Sequence, residues 1–303
     1  MDLDIEKLKK VGVVSVEALR IAAKNVKVGA KLSDVANAAE SYVKELGFDF
    51  AFPINISINE QAAHFTPGLN DATTFKENDI IKLDFGAAKD GILGDVAFTV
   101  SLAQDQRHEG LMNATKEALD EAISMVREGV SVGSIGKAIS AKIEGKGFKP
   151  IRNLGGHGIS IHNLHAEGLF IPNYDNGDDT VLKEGQLIAI EPFATLKSGK
   201  GMVTEGSIEE IFQFEQKVPV RSTNARLLLN EIERRYAKEA FAARWLGDVL
   251  SDRFALYAAL RELMNAGAIS SYPVLVEGSG KIVSQHEAEM LVGKDSCDVV
   301  AIV

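Results

Sequence analysis

Residues 27–48 read KVGAKLSDVANAAESYVKELGF and residues 127–148 read REGVSVGSIGKAISAKIEGKGF, and the two stretches align without a gap at an offset of 100. Gly29 meets Gly129, Ala38 meets Ala138, Gly47 meets Gly147 and Phe48 meets Phe148, while Leu32, Val35 and Val43 meet Val132, Ile135 and Ile143. Apolar residues at 32, 35, 39, 43 and 46 have the spacing of a helix buried along one face. A glycine follows the last turn, where a left-handed cap needs one. Behind each helix a second match appears: residues 75–87 (FKENDIIKLDFGA) align on 182–194 (LKEGQLIAIEPFA), each a polar turn leading into an Ile- and Leu-rich strand. Two collinear matches predict a duplicated unit of helix followed by strands.

Outward from the repeat, a helix with Val11, Val14, Ala18, Ile21 and Ala22 on one face precedes the first copy, and 111–126 precedes the second. Between 214 and 270 the pattern turns to long helices without a counterpart in the first half, so this segment is read as an inserted helical subdomain in a single 1–303 domain. Residues 281–292 return to strand composition and are expected to rejoin the main sheet. Trp245 is assigned to the core of the insertion, His108 to the surface, and Cys297 to a buried thiol without chemistry. His162 has only its nearness to His165 in its favour.

The 303 residues are 46% hydrophobic and 25% charged, a globular composition that excludes a disordered or fibrous chain. A net charge of -10 argues against an extended nucleic-acid footprint. One cysteine excludes an internal disulfide, and no stretch approaches the roughly 20 apolar residues of a membrane span. A cytoplasmic protein is expected.

Asp84 interrupts the first repeated strand and Asp95 lies just past the Lys89-Asp90-Gly91 turn, both unusual places for a carboxylate. If Lys89-Asp90 forms the turn, the two face one another. If Asp90-Gly91 forms it, Asp84 faces Ala97 and Asp95 is a diagonal neighbour on the same side. Like charges so close repel unless a cation sits between them. The repeat aligns Asp84 on Glu191, and its expected partner on the strand beyond the insertion is Glu287 or Glu289. His157, in a glycine-rich run, would complete an acidic floor for two divalent ions, which can polarise a carbonyl at neutral pH. A histidine in such a loop is as often simply bonded to backbone. His64 and His165 lie at matching distances beyond Phe48 and Phe148.

These segments, AAHFTPG, IIKLDFGA, GDVAFTV, NLGGHGI, NLHAEG and AIEPFAT with a helical insertion before a Gln-x-Glu strand, resemble the type II methionine aminopeptidases, archaeal in type, along essentially the whole chain. The resemblance implies an α+β pita-bread fold and hydrolysis of the first peptide bond of chains beginning with methionine, with a small second residue preferred. By the same resemblance Asp84, Asp95, His157, Glu191 and Glu287 bind two divalent ions of Co, Mn, Fe or Zn. Glu191 relays a proton, His64 and His165 bind substrate or donate to the oxyanion, and Phe52, Leu164 and Tyr272 line the methionine pocket. Nascent polypeptides are the implied partners, met by a monomer, with the ribosome as a further candidate partner and no nucleic acid or membrane. Where the family has QFEHT, this chain has Gln285-His286-Glu287-Ala288-Glu289, so the surroundings of the last ligand differ. Rival readings are a proline-directed peptidase of the same fold, whose sizeable N-terminal domain is missing here, and a metal-free relative acting on RNA or ribosomes, which would have lost ligands.

Overall fold

Both copies of the repeat become helical hairpins. The computed structural model of the chain describes residues 3–303. Helix α1 (Ile5–Asn25) packs on α2 (Leu32–Glu45), and α3 (Glu109–Met125) packs on α4 (Val132–Gly145). The expected stripe of α2 is fully buried at Leu32, Val35, Ala39 and Val43, whereas Leu46 lies beyond the last turn and is exposed. Both copies end in a left-handed glycine, Gly47 (φ 75°) and Gly147 (φ 84°), which ends the helix where a Cβ would strain the chain. The loops that open the two helices match atom for atom: Gly29 N–H donates to the Phe75 carbonyl and Gly129 N–H to the Leu182 carbonyl, both at 2.9 Å.

The hairpins back onto antiparallel strands. Ile80–Phe85 lies between Asn55–Ile58 and Val96–Ser101 in the first half. In the second half Leu187–Ile190 lies between Gly155–Ser160 and Ala288–Val292, within a sheet of five strands. All named pairings are antiparallel, and helices and sheets together make the mixed α+β architecture of the pita-bread fold. Each half has an apolar cluster, one built on Val35, Ile56 and Leu83 and the other on Ile135, Ile188 and Met290.

Two long strands, Val203–Phe214 and Ile269–Glu277, pair with one another, and the residues between them grow from the tip of that ladder. They form α5 (Thr223–Tyr236) and α6 (Arg253–Asn265), joined through a short strand at Phe241–Ala242 and a single 3-10 turn. Phe212, Leu228, Ile232, Phe241, Leu256 and Leu260 close their own cluster there. Trp245, partly buried, packs against that cluster as expected, and its indole N–H donates to the buried Glu40 of α2 at 3.0 Å. Two expectations fail. His108 is buried, its Nδ1 2.8 Å from the Ser101 hydroxyl, because the 3-10 turn that leads into α3 folds it back on the strand it follows. Cys297 is half-buried, since it opens the edge strand Cys297–Ala301. No helix among the described residues is long and apolar enough to cross a membrane.

Candidate metal centre and substrate cavity

The first hairpin turns at Asp90-Gly91, with φ of 52° and 82°, the left-handed pair that a two-residue turn of this type demands. Lys89 therefore pairs with Ile92, and Asp84 pairs with Ala97. Asp95 stands one residue ahead of the strand Val96–Ser101, buried at the edge of the same floor. In the second half Glu191 follows the end of Leu187–Ile190, at the place where the repeat puts it opposite Asp84. Glu287 sits between the strands Val283–Gln285 and Ala288–Val292, and its N–H donates to the Ala97 carbonyl at 2.8 Å. That bond ties the last strands of the second half to the first hairpin.

His157 occupies the inner strand Gly155–Ser160, opposite Ala189. The two residues ahead of it are glycine because strands pack tightly on both sides: a Cβ at Gly155 would stand 2.3 Å from the Ile171 carbonyl oxygen and one at Gly156 2.2 Å from that of Ala189. Nε2 of His157 lies 3.4 Å from Asp95 Oδ2, and one ligand atom each from Asp95, His157 and Glu287 falls within 4.8 Å of the others. Among the described residues Asp84 Oδ1 and Glu287 Oε2 are buried without a hydrogen-bond partner.

Burial, reinforced by Asp95, holds the Asp84 carboxyl well above the ordinary range, and burial beside Asp84 does the same to Glu191. Glu287 is likewise raised by burial and then by Asp95. Buried carboxylates that oppose one another and leave oxygens unpartnered are the donor set of a divalent cation, whose charge would reverse the repulsion. The residues fit a metal.

Glu289, the other partner considered for Glu191, is fully buried on the strand beside Ala189, where its Oε2 accepts the Asp95 N–H at 3.2 Å. It backs the centre and does not join the cluster. Gln285, the first residue of the Gln-x-Glu motif, bridges the two halves. Its side-chain amide donates to Asp84 at 3.4 Å and to Glu191 at 3.2 Å, so one residue spans the carboxylates of both halves. The altered His286 turns away and bonds Thr115 of α3 at 2.8 Å.

The ten residues that the resemblance assigns to the site all line one cavity of about 660 Å³. The acids and His157 form its floor, while Phe52, Leu164 and Tyr272 supply apolar wall. His64 has a left-handed backbone (φ 66°) held by its N–H donating to Asn55 Oδ1 at 2.6 Å. Its Nδ1 is 3.2 Å from the Pro273 carbonyl, and because a carbonyl only accepts, the proton of a neutral ring sits on Nδ1 and Nε2 keeps a lone pair. Burial lowers the pKa of His64. His165, its ring 4.3 Å from that of His157, is pushed down to about 4 by burial and by that neighbour. His162 and Glu239 also line the cavity, with His162 Nδ1 2.8 Å from the Glu239 carboxylate.

This fold and donor set define a class, and residues 6–221 match metallopeptidase family M24. The chain belongs to that family. A relative named methionine aminopeptidase, from Pyrococcus horikoshii, is 44% identical over 299 residues, which is 98% of this chain and 99% of the relative. Among solved structures, a thermophilic Arx1 superposes with a TM-score of 0.84 at 16% identity, over 98% of this chain and 90% of that one. A methionine aminopeptidase from Thermotoga maritima gives 0.72 at 24% identity, over 99% and 97%. At those identities the likeness to the solved structures concerns the fold alone.

Proposed function

We propose that this chain is a metal-dependent aminopeptidase that removes N-terminal methionine from nascent proteins and peptides, preferring a small second residue. The observation that carries the reading is a single cavity in which an M24 floor of four carboxylates and His157 meets the apolar wall of Phe52, Leu164 and Tyr272. The near full-length relationship to proteins named methionine aminopeptidase supports it. We read 1–303 as one catalytic domain, with 214–270 as a helical subdomain beside the cleft, working in the cytoplasm.

Asp84, Asp95, His157, Glu191 and Glu287 would hold two divalent ions of Co, Mn, Fe or Zn. Bound there, such ions supply a Lewis acid for the scissile carbonyl and activate water at neutral pH. Glu191 takes the proton of the attacking water and delivers it to the leaving amine. His165 donates its ring N–H to the developing oxyanion. His64 has the reverse polarity to the donor first expected of it: with its proton committed to Pro273, Nε2 accepts an N–H of the substrate. The apolar wall takes an unbranched thioether side chain, and the acidic floor favours a free α-amine, which restricts the reaction to chain ends.

The test is hydrolysis of Met-Ala-Ser with N-acetyl-Met-Ala-Ser and Ala-Pro-Ser as controls, before and after chelation. Release of methionine from the free peptide alone, lost on chelation and restored by one of the four metals, is expected. Cleavage of the proline peptide alone would move the reading to a proline-directed peptidase, and no cleavage with any metal would defeat it.

A further inference from the structure

The inserted segment reaches back to the loop that carries His64. Arg244, in the 3-10 turn Ala243–Leu246, is nearly buried, with side-chain exposure of 8%. One arm of its guanidinium donates to Glu40 of α2. The other donates to the Thr66 hydroxyl at 2.6 Å and to the Pro67 carbonyl at 3.2 Å. Glu40 is oriented in turn by the Trp245 N–H at 3.0 Å, and the Trp245 ring packs tilted against Phe50 with ring centroids 4.9 Å apart. Thr66 and Pro67 follow His64 by two and three residues, with Thr66 fully buried.

A buried ion pair is a poor way merely to hold elements together, because apolar residues of the same volume do so without the cost of desolvating two charges. What the planar guanidinium fork adds is direction, since its donors meet their acceptors along fixed lines. The position aligned with Glu40 in the second half is Ser140, whose hydroxyl donates to Lys137 of its own helix, so the device belongs to the half that bears His64. His64 also has a backbone conformation that few non-glycine residues adopt, which needs support from its surroundings. Asn55 supplies that support on the N-terminal side. We propose that Arg244, oriented by Glu40, supplies it on the other side and is a positioning residue for His64, so that the insertion sets the aim of a residue facing the substrate as well as shaping access. This rests on reading His64 as a substrate contact.

The experiment uses the full metal-loaded chain and five variants, with Met-Ala-Ser turnover, metal content, thermal unfolding and the ¹⁵N signals of the His64 ring as readouts. Thr66→Val removes one acceptor of the grip and keeps the loop's volume. It is expected to lower kcat about tenfold, and Arg244→Met between tenfold and a hundredfold, the scale of a small misplacement, with KM and metal content near the parent's. Trp245→Phe, which loses the bond that orients Glu40 and leaves the Thr66 grip itself, is expected to lower kcat by less than Thr66→Val does. In a His64→Ala background Arg244→Met should lower kcat no further, because it acts through the residue already removed. Parental kcat in Thr66→Val, or an equal loss from Arg244→Met with and without His64, would overturn the proposal. If the parent leaves Met-Ala-Ser intact, the peptidase reading fails. The His64 ring signals then decide the positioning separately: a shift in Thr66→Val supports it, and no shift overturns it.

Discussion

The two halves of the molecule are close copies in their backbone and unequal in their chemistry. Both open with a glycine-anchored loop whose N–H bonds run to matching residues, Phe75 and Leu182, and both place a carboxylate, Asp84 or Glu191, at the same point of the repeated strand. The first half reaches its second carboxylate, Asp95, through a two-residue turn. The second half waits until Glu287, on the far side of the insertion. Duplication supplies a floor with two equivalent sides, and the substrate-facing groups arise where the equivalence ends. His64 follows a short strand in a strained backbone, whereas His165 lies within the long strand Asn163–Pro172.

The sharpest way to break the comparison is to remove the second acid of each half. Asp95→Asn and Glu287→Gln are each expected to lower kcat/KM on Met-Ala-Ser by more than the roughly hundredfold that altering a supporting contact costs, with the circular dichroism of the parent retained. Full activity with two bound ions in Asp95→Asn would remove that residue from the floor. The histidines come next. His64→Ala, by leaving a substrate N–H without its acceptor, and His165→Ala, by removing an oxyanion donor, should each lose roughly a hundredfold in turnover while calorimetric titration finds parental metal affinity, and His157→Ala should lose affinity instead. Equal loss of binding in all three would mean the roles are divided wrongly.

A smaller effect tests whether the copies fold as one unit. Val35 and Ile135 are aligned, fully buried and at the heart of separate clusters. Ile135→Ala is expected to cost about 3 kcal/mol and Val35→Ala about 2, the difference reflecting the methylene removed. Each variant should show one urea transition with the parental slope, and two transitions in either would show the halves melting apart.

The smallest effect concerns His108, which has no aligned histidine in the other half. Burial, and then Arg107, lower its pKa below the ordinary 6.5. The unfolded chain therefore binds a proton in the window below pH 6.5 that the folded chain refuses. Stability is complete above that value and falls as pH descends through the window. His108→Gln should flatten part of that fall between pH 7.5 and 5.5 in paired thermal melts, and an unchanged difference curve would show that His108 charges freely.

Much of this was legible in the chain because periodicity is local. Helix faces, left-handed glycines and strand parity depend on neighbours within a few residues, so the repeat and the acids at 84, 95 and 191 could be read directly. Tertiary structure decided the rest. Both hairpin registers kept Asp84 and Asp95 on one side, and only the paired ladder selects the Asp90-Gly91 turn. Glu287 and Glu289 have the same local pattern, yet one enters the cluster and the other braces the Asp95 N–H. Gln285 between Asp84 and Glu191, and Arg244 against Glu40, join residues about 90 to 200 positions apart, whose meeting depends on how whole layers pack. No periodicity encodes a contact at that separation; it exists only once both halves and the insertion have closed around the cavity.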